Sequence, residues 1–171
     1  MDVIPINYDL IFEPDLKKFI FSGTEIISVD CKKPTNTIIM NCAEIKIKSC
    51  QVKSAGKIIY STPKTNEKKE ELQIKLGEKI KGQATIHLEF QGILNDRLLG
   101  FYRSQYKQGS KTKYLATTQF EAADARRAFP CWDEPEAKAT FEISIIVDNK
   151  FTAISNMPVK SKKKLTSKTI Y

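Results

Sequence analysis

Histidine is almost missing from this chain, which contains a single one, His87, among 171 residues. A zinc site in a protein takes three or four ligands from histidine, cysteine and carboxylate side chains at suitable spacing. The four cysteines supply no such spacing, since no two of them form a CxxC pair and none lies near His87 in the sequence. We therefore expect no metal or other cofactor to bind within these residues.

Long apolar runs are also missing. No stretch approaches the roughly 18 consecutive apolar residues that a bilayer-spanning helix needs. The first five residues, MDVIP, lack the basic segment and apolar segment of a secretory signal. We therefore predict a cytoplasmic protein without a membrane span, whose cysteines are reduced thiols rather than disulfides.

Composition excludes several other classes of protein. Hydrophobic residues make up 41% of the chain and charged residues 28%, which is close to the average for globular proteins. Disordered and fibrous chains depart strongly from these values. A length of 171 residues suits one domain with a sizeable core, and we assign residues 1–171 to a single domain.

The formal charge of +8 raises the possibility of nucleic-acid binding, so the placement of the lysines matters more than their number. Lys46 and Lys48 alternate with Ile45 and Ile47, as on the solvent face of a half-buried strand. Only residues 160–164, KSKKK, form a cluster, and no aromatic residue is interleaved with them. We interpret this cluster as a solvated hairpin tip and expect no nucleic-acid partner, with phosphate binding as the minor alternative.

Short β-type segments recur about every ten residues, and no segment shows a long 3.6-residue apolar pattern. Residues 83–90 are the clearest case, because apolar and polar side chains alternate strictly along them. The predicted strands are 8–12, 19–30, 37–41, 44–53, 57–60, 72–76, 83–90, 98–102, 114–120, 140–147, 151–154 and 168–171. The predicted class is all-β, a saddle or sandwich of antiparallel and mixed sheets.

The connections between these strands are predicted from turn residues and charge. Residues 13–15, EPD, indicate a turn between the first two strands. Residues 61–71 contain a proline, many charges and no apolar periodicity, which predicts an exposed loop. For residues 37–60 a meander of sequential strands is the simplest arrangement, and residues 122–127 have the character of a single helical turn.

Unusual chemistry is concentrated in residues 118–135, TQFEAADARRAFPCWDEP. Gln119 and Glu121 lie two apart, so in an extended segment both side chains project from one face. A carboxylate and an amide oxygen side by side suit an ammonium group, which has three donors. On spacing alone, a contact of Glu121 with Arg126 or Arg127 is the favoured alternative.

The remaining side chains of this stretch are assigned structural roles. Paired charges are expected to brace the corner, and the residues concerned are Arg126, Arg127, Asp124 and Asp133. Phe129 and Trp132 are predicted to be core residues rather than a stacking surface. Cys131 has no histidine partner and is predicted to be an inert packed thiol.

Residues 118–135 resemble a segment in the amino-terminal domain of the zinc aminopeptidases of the aminopeptidase N and puromycin-sensitive type. Residues 100–104, GFYRS, and 155–158, SNMP, support the resemblance on either side. Residues 5–10, PINYDL, and 21–23, FSG, extend it more loosely to the start of the chain. The resemblance therefore covers almost all of these 171 residues.

The resemblance implies a β-saddle domain that packs on a separate catalytic domain. In that family a His-Glu-x-x-His helix and a distant glutamate hold the zinc, and a Gly-Ala-Met-Glu-Asn loop lies beside it. None of these motifs occurs in this chain. The resemblance also implies that Tyr171 lies inside the final hairpin of the domain, so that the chain ends early.

The function implied by the resemblance is removal of single residues from the amino termini of peptides. Residues that match Gln119 and Glu121 bind the free α-amino group of the substrate in that family. The resemblance therefore favours this role for Glu121 over the contact with Arg126 or Arg127 that spacing alone favours. This chain by itself is expected to hold no zinc and to be inactive, its partners being peptide substrates and the catalytic domain of the same polypeptide. Two alternatives remain, an epoxide hydrolase with aminopeptidase side activity in the same family and a stand-alone β-sandwich binding module.

Overall fold

The computed structural model describes residues 1–171, which form eleven β-strands and one 3₁₀ turn. The strands are β1 (Val3–Asp15), β2 (Ile20–Asn41), β3 (Lys46–Ser54), β4 (Lys57–Ile59), β5 (Ser61–Asn66), β6 (Glu71–Ile93), β7 (Gly100–Gln108), β8 (Lys111–Gln119), β9 (Thr140–Asp148), β10 (Lys163–Lys164) and β11 (Lys168–Ile170). The 3₁₀ turn is Ala125–Arg127. No helix is long and apolar enough to cross a bilayer.

Nine strands form one sheet and two form another. The path through the large sheet is β10-β11-β9-β1-β2-β6-β3-β4, with β5 paired to β6 beside it, and β7 and β8 form a separate hairpin. Strands β1 and β9 pair in parallel, whereas all other pairs are antiparallel. The prediction of an all-β domain with antiparallel and mixed sheets is confirmed.

The core lies on one face of the large sheet, because alternate residues of its long strands are apolar. In β2 and β6 these side chains include Ile27, Val29, Ile86 and Leu88, all fully buried. Phe101 of β7 and a segment at residues 128–131 belong to the same buried cluster. The β7–β8 hairpin and the chain that follows it therefore close the core from the opposite side.

The predicted meander is wrong, because β6 lies between β2 and β3. Strands β2 and β6 are 22 and 23 residues long and pair from Ile20 and Ile93 at one end to Asn41 and Glu71 at the other. The other edge of β6 receives β3 and β5. The two longest apolar faces thus lie side by side and bury a continuous apolar surface.

Three local predictions are also corrected. Residues 61–71 are not a loop, since β5 pairs with β6 over Ser61–Asn66, and Pro63 is tolerated beside a single partner strand. The first turn lies at residues 16–19 rather than 13–15, because the Asp15 carboxylate accepts the amides of Lys17 and Lys18 at 2.9 and 3.0 Å. Residues 151–154 do not form a strand.

Two glycines in the large sheet are covered by phenylalanine rings from the neighbouring strand. Gly92 pairs with Phe21 and Gly23 pairs with Phe90. A Cβ atom on Gly92 would overlap the buried Phe21 ring, and one on Gly23 would overlap the Phe90 ring. We expect Gly92→Ala to lower the free energy of unfolding by about 1–3 kcal/mol, because the ring has no free space to move into.

Urea denaturation of the 171-residue chain measures this loss. Gly77→Ala is the matched control, since Gly77 lies in the same strand and its nearest neighbour would be the Cβ of the exposed Tyr60, 3.3 Å away. Equal stability losses in the two variants would contradict the steric explanation.

Candidate functional site

The stretch from 118 to 135 forms a corner that follows β8 and is tied to the end of β2. Gln119 is the last residue of β8, and Glu121 follows it with a cis peptide bond to Ala122. After the 3₁₀ turn, Cys131 pairs with Asn41, whose amide donates to the Cys131 carbonyl at 2.7 Å and whose carbonyl accepts the Cys131 amide at 3.0 Å. The corner is therefore anchored to the large sheet through backbone hydrogen bonds.

A cavity of about 290 Å³ opens beside this corner. Its lining residues are Tyr8, Phe120, Glu121, Ala122, Ala125, Phe129, Cys131, Trp132, Asp133, Glu134, Pro135, Ala137 and Phe141. Three of them are carboxylates and none is basic. Asp133 pairs with Arg126, whereas Glu121 and Glu134 take part in no ion pair. With these two carboxylates and its aromatic walls, the cavity suits an organic ammonium group better than an anion.

Aromatic side chains form the wall of the cavity. The Phe120 ring meets the Phe129 ring edge to face with centroids 6.1 Å apart, and Tyr8 stacks on Phe141 at 4.9 Å. The Tyr8 hydroxyl accepts the amide of Trp132 at 3.4 Å. Burial raises the pKa of Tyr8 above its ordinary value, so this hydroxyl stays neutral. Phe129 is buried and Trp132 is half-buried against the core, as predicted.

Gln119 and Glu121 differ in their relation to the cavity. Glu121 lines it, whereas Gln119 does not. Both side chains are exposed, and neither takes part in the hydrogen bonds or ion pairs of the chain. The Glu121 carboxylate is therefore free to accept donors from a bound molecule.

Arg126 and Arg127 are satisfied by other acids. Arg126 Nε donates to Asp133 Oδ2 at 3.0 Å, and Arg127 Nε donates to Asp124 Oδ1 at 2.9 Å. Desolvation lowers the pKa of the Arg126 guanidinium, but the hydrogen bond and charge of Asp133 outweigh it and the pKa is raised. The prediction that these four residues brace the corner is confirmed, and the alternative pairing of Glu121 with either arginine is wrong.

Two further glutamates hold the same arginines, and sequence analysis missed both. Glu70 Oε2 accepts from Arg126 at 3.3 Å and its Oε1 from Arg127 at 2.8 Å. Glu44 accepts from Arg127 at 2.9 Å and also pairs with Arg97. The hydrogen bond from Arg97 lowers the pKa of the Glu44 carboxyl. Glu70 lies 56 and 57 residues before Arg126 and Arg127, and Glu44 lies 83 residues before Arg127, so no local pattern could identify them.

The thiols near the corner are buried. All four cysteines of the chain are free. Burial raises the pKa of the Cys131 thiol well above its ordinary value and that of Cys42 to about 12. The prediction that Cys131 is a packed thiol is confirmed, and its raised pKa supports the prediction that it is inert.

No group of three or more histidine, cysteine, aspartate or glutamate side chains in this chain is arranged to hold a metal ion. The carboxylates at the corner either pair with arginine or, like Glu121, stand without neighbouring ligands. The residues present therefore do not fit a zinc ion.

Comparison with known proteins matches residues 4–171 to the family described as the peptidase M1 N-terminal domain. Aminopeptidase M1 of Arabidopsis thaliana is 41% identical over 167 residues, which cover 94% of this chain and 19% of that protein. Aminopeptidase 2, mitochondrial, of Saccharomyces cerevisiae is 40% identical over 167 residues, covering 94% of this chain and 17% of that protein. Aminopeptidase M1-B of Oryza sativa subsp. japonica is 40% identical over 156 residues, which cover 91% of this chain and 18% of that protein. The chain thus spans less than a fifth of the length of these relatives.

Proposed function

The chain belongs to the peptidase M1 N-terminal domain family, and we propose that it is the substrate-anchoring amino-terminal domain of a zinc aminopeptidase that removes single residues from peptide amino termini. Glu121 and Gln119 bind the α-ammonium group of the substrate. The catalytic domain lies outside these 171 residues, and the relatives, which are five times longer, leave room for it.

One observation carries this proposal, the unpaired Glu121 carboxylate in a cavity without basic residues. Arg126 and Arg127 already have four carboxylate partners, which are Glu44, Glu70, Asp124 and Asp133. Glu121 is not among them and remains available as an acceptor, as does Glu134 in the same cavity. An α-ammonium group has three donors, and a charge-assisted hydrogen bond to a carboxylate is about twice as strong as a neutral one. Gln119, at the end of β8, supplies a further acceptor, its side-chain carbonyl oxygen, two residues before Glu121 in the sequence.

The anchor limits where a peptide is cut. A carboxylate at a constant distance from the catalytic centre places the first peptide bond, and no later one, in reacting geometry. The hydrolytic chemistry that a zinc ion would supply belongs to the proposed catalytic domain. Because no residues of this chain fit the metal, this domain contributes binding and orientation only. The free cysteines suit a reducing compartment, and we assign the enzyme to the cytoplasm.

The proposal is tested with the full-length protein and a matched pair of peptides, one with a free amino terminus and one N-acetylated. We expect hydrolysis of the free peptide only, because acetylation removes the positive charge and two donors. Equal kcat/KM values for the two peptides would overturn the proposal.

Gln119→Ala should lower kcat/KM for the free peptide by about 10- to 150-fold, since it removes the neutral acceptor of a charge-assisted hydrogen bond worth about 1.5–3 kcal/mol. Gln108→Ala is the matched control, because Gln108 is exposed at the other end of the same hairpin. The result is checked with the same peptide pair. A loss that the control shares would remove Gln119 from the site.

A further inference from the structure

Beside the cavity, four carboxylates surround three guanidinium groups. We call this set the arginine cluster; its members are Arg97, Arg126, Arg127, Glu44, Glu70, Asp124 and Asp133. Its formal charge is −1. The Arg126 and Arg127 side chains are only 16% and 17% exposed, so solvent cannot replace their protein partners at little cost.

Glu70 is the acid that joins the two arginines of the corner. Its two oxygens accept from different guanidiniums, at 2.8 Å from Arg127 and 3.3 Å from Arg126. The backbone at Glu70 is held as well, because its carbonyl accepts the amide of Cys42 at 2.7 Å. Its φ of +52° is uncommon for a residue other than glycine, and the surrounding contacts must stabilise it.

Arg126 and Arg127 lie five and six residues after Glu121, in the same corner. Without Glu70, one donor group of each guanidinium would lose its acceptor in a partly buried place. Each arginine would keep its other carboxylate partners. A partly buried donor without an acceptor is costly, however, so the released donor would turn toward another carboxylate. Glu121 is the nearest acid in the chain sequence that has no partner.

We propose that Glu70 is a positioning residue for Glu121. By occupying both arginines, it keeps them away from Glu121 and leaves that carboxylate free for the α-ammonium group of the peptide. The inference rests on the proposed function, because it concerns the residue to which the α-amine binds. It adds a second element of the fold, the turn between β5 and β6, to the substrate site.

Glu70→Gln in the full-length protein tests the proposal. An arginine that covers Glu121 competes with the substrate within the same molecule, so KM for the free peptide should rise while kcat stays nearly constant. We expect an increase of about 5- to 150-fold, the usual range of coupling between two sites. Glu67→Gln is the matched control, since Glu67 lies in the same turn, is exposed and has no ion pair.

A double mutant separates positioning from general stability. In the Glu121→Gln background, Glu70→Gln should raise KM less than 2-fold further, because no carboxylate is left to protect. An equal KM increase in both backgrounds, or a loss in kcat alone, would overturn the positioning role. If Glu121→Gln itself leaves the preference for a free amino terminus unchanged, the proposed function fails instead, which is a different result.

Glu70→Asp replaces Glu70→Gln if the latter does not fold. Aspartate keeps the charge but is one methylene shorter, so its carboxylate reaches less far toward the two guanidiniums. A smaller increase in KM in the same direction is expected. An unchanged KM in a folded Glu70→Asp enzyme would also overturn the proposal.

Discussion

Glu121→Ala in the full-length enzyme is expected to lower kcat/KM for peptides with a free amino terminus by about 30- to 4,000-fold. The side chain is exposed in this chain and lines the cavity. In the proposed complex, the substrate and the catalytic domain cover it and remove water. Truncating one partner of a buried charge pair costs about 2–5 kcal/mol, much of it because the ammonium group is left desolvated and unpaired.

The measurement is kcat/KM on the free and N-acetylated peptides, together with thermal stability. Glu136→Ala is the control, since Glu136 directly follows the corner and is exposed but does not line the cavity. The Glu121 variant should keep the stability of the parent, because Glu121 has no partner within the chain. Lowered stability with undiminished preference for the free amino terminus would exclude Glu121 from the site.

Replacing Glu25 is expected to have a second large effect, on the free energy of unfolding and its pH dependence. Glu25 has no solvent exposure and no hydrogen-bond partner for either carboxyl oxygen. It lies on the core face of β2, paired with Leu10 and Leu88 of the neighbouring strands. Burial raises the pKa of Glu25 well above its ordinary range. The carboxyl is therefore protonated in the folded chain over a pH range in which it is ionised in the unfolded chain.

The direction of the pH effect follows from proton binding. Above the ordinary glutamate pKa of about 4.3, the unfolded chain has released this proton and the folded chain has kept it. The folded state then binds more protons, so its stability falls by about 1.4 kcal/mol for each pH unit until the raised pKa is reached. Below pH 4 this loss is absent, and only the cost of the unpaired neutral carboxyl remains.

Glu25→Leu should therefore stabilise the chain by about 1–3 kcal/mol at low pH, because it removes an unsatisfied buried polar group of similar volume. The difference in free energy of unfolding between the variant and the parent should increase with pH. The reason is that Glu25 lowers the stability of the parent as the pH rises, and the variant lacks this effect. Urea denaturation at several pH values measures both effects. Glu89→Gln serves as the control, because Glu89 is exposed on the strand next to Glu25. Parallel pH profiles for Glu25→Leu and the parent would contradict the explanation.

Much of the local structure could be predicted from sequence because side-chain alternation is a property of a short segment. Residues 83–90 alternate strictly and lie in β6, and residues 140–147 lie in β9. The chemistry of residues 118–135 also identified the corner and its bracing charges. Glu25 shows the limit of such patterns, since alternation places it on the same face as Ile27 and Val29 but does not show that its carboxyl is fully buried without a hydrogen-bond partner.

The sequence by itself therefore determined the all-β class, the family and the composition of the corner, because these depend on residues that are close together in the chain. Only the tertiary structure decided that β6 lies between β2 and β3, and that Glu44 and Glu70 reach the corner arginines. Strand order depends on which apolar faces bury most surface against each other. Ion pairing depends on which carboxylates the folded sheets bring within reach. Acids distant in sequence therefore pair with Arg126 and Arg127, and Glu121 has no ion pair.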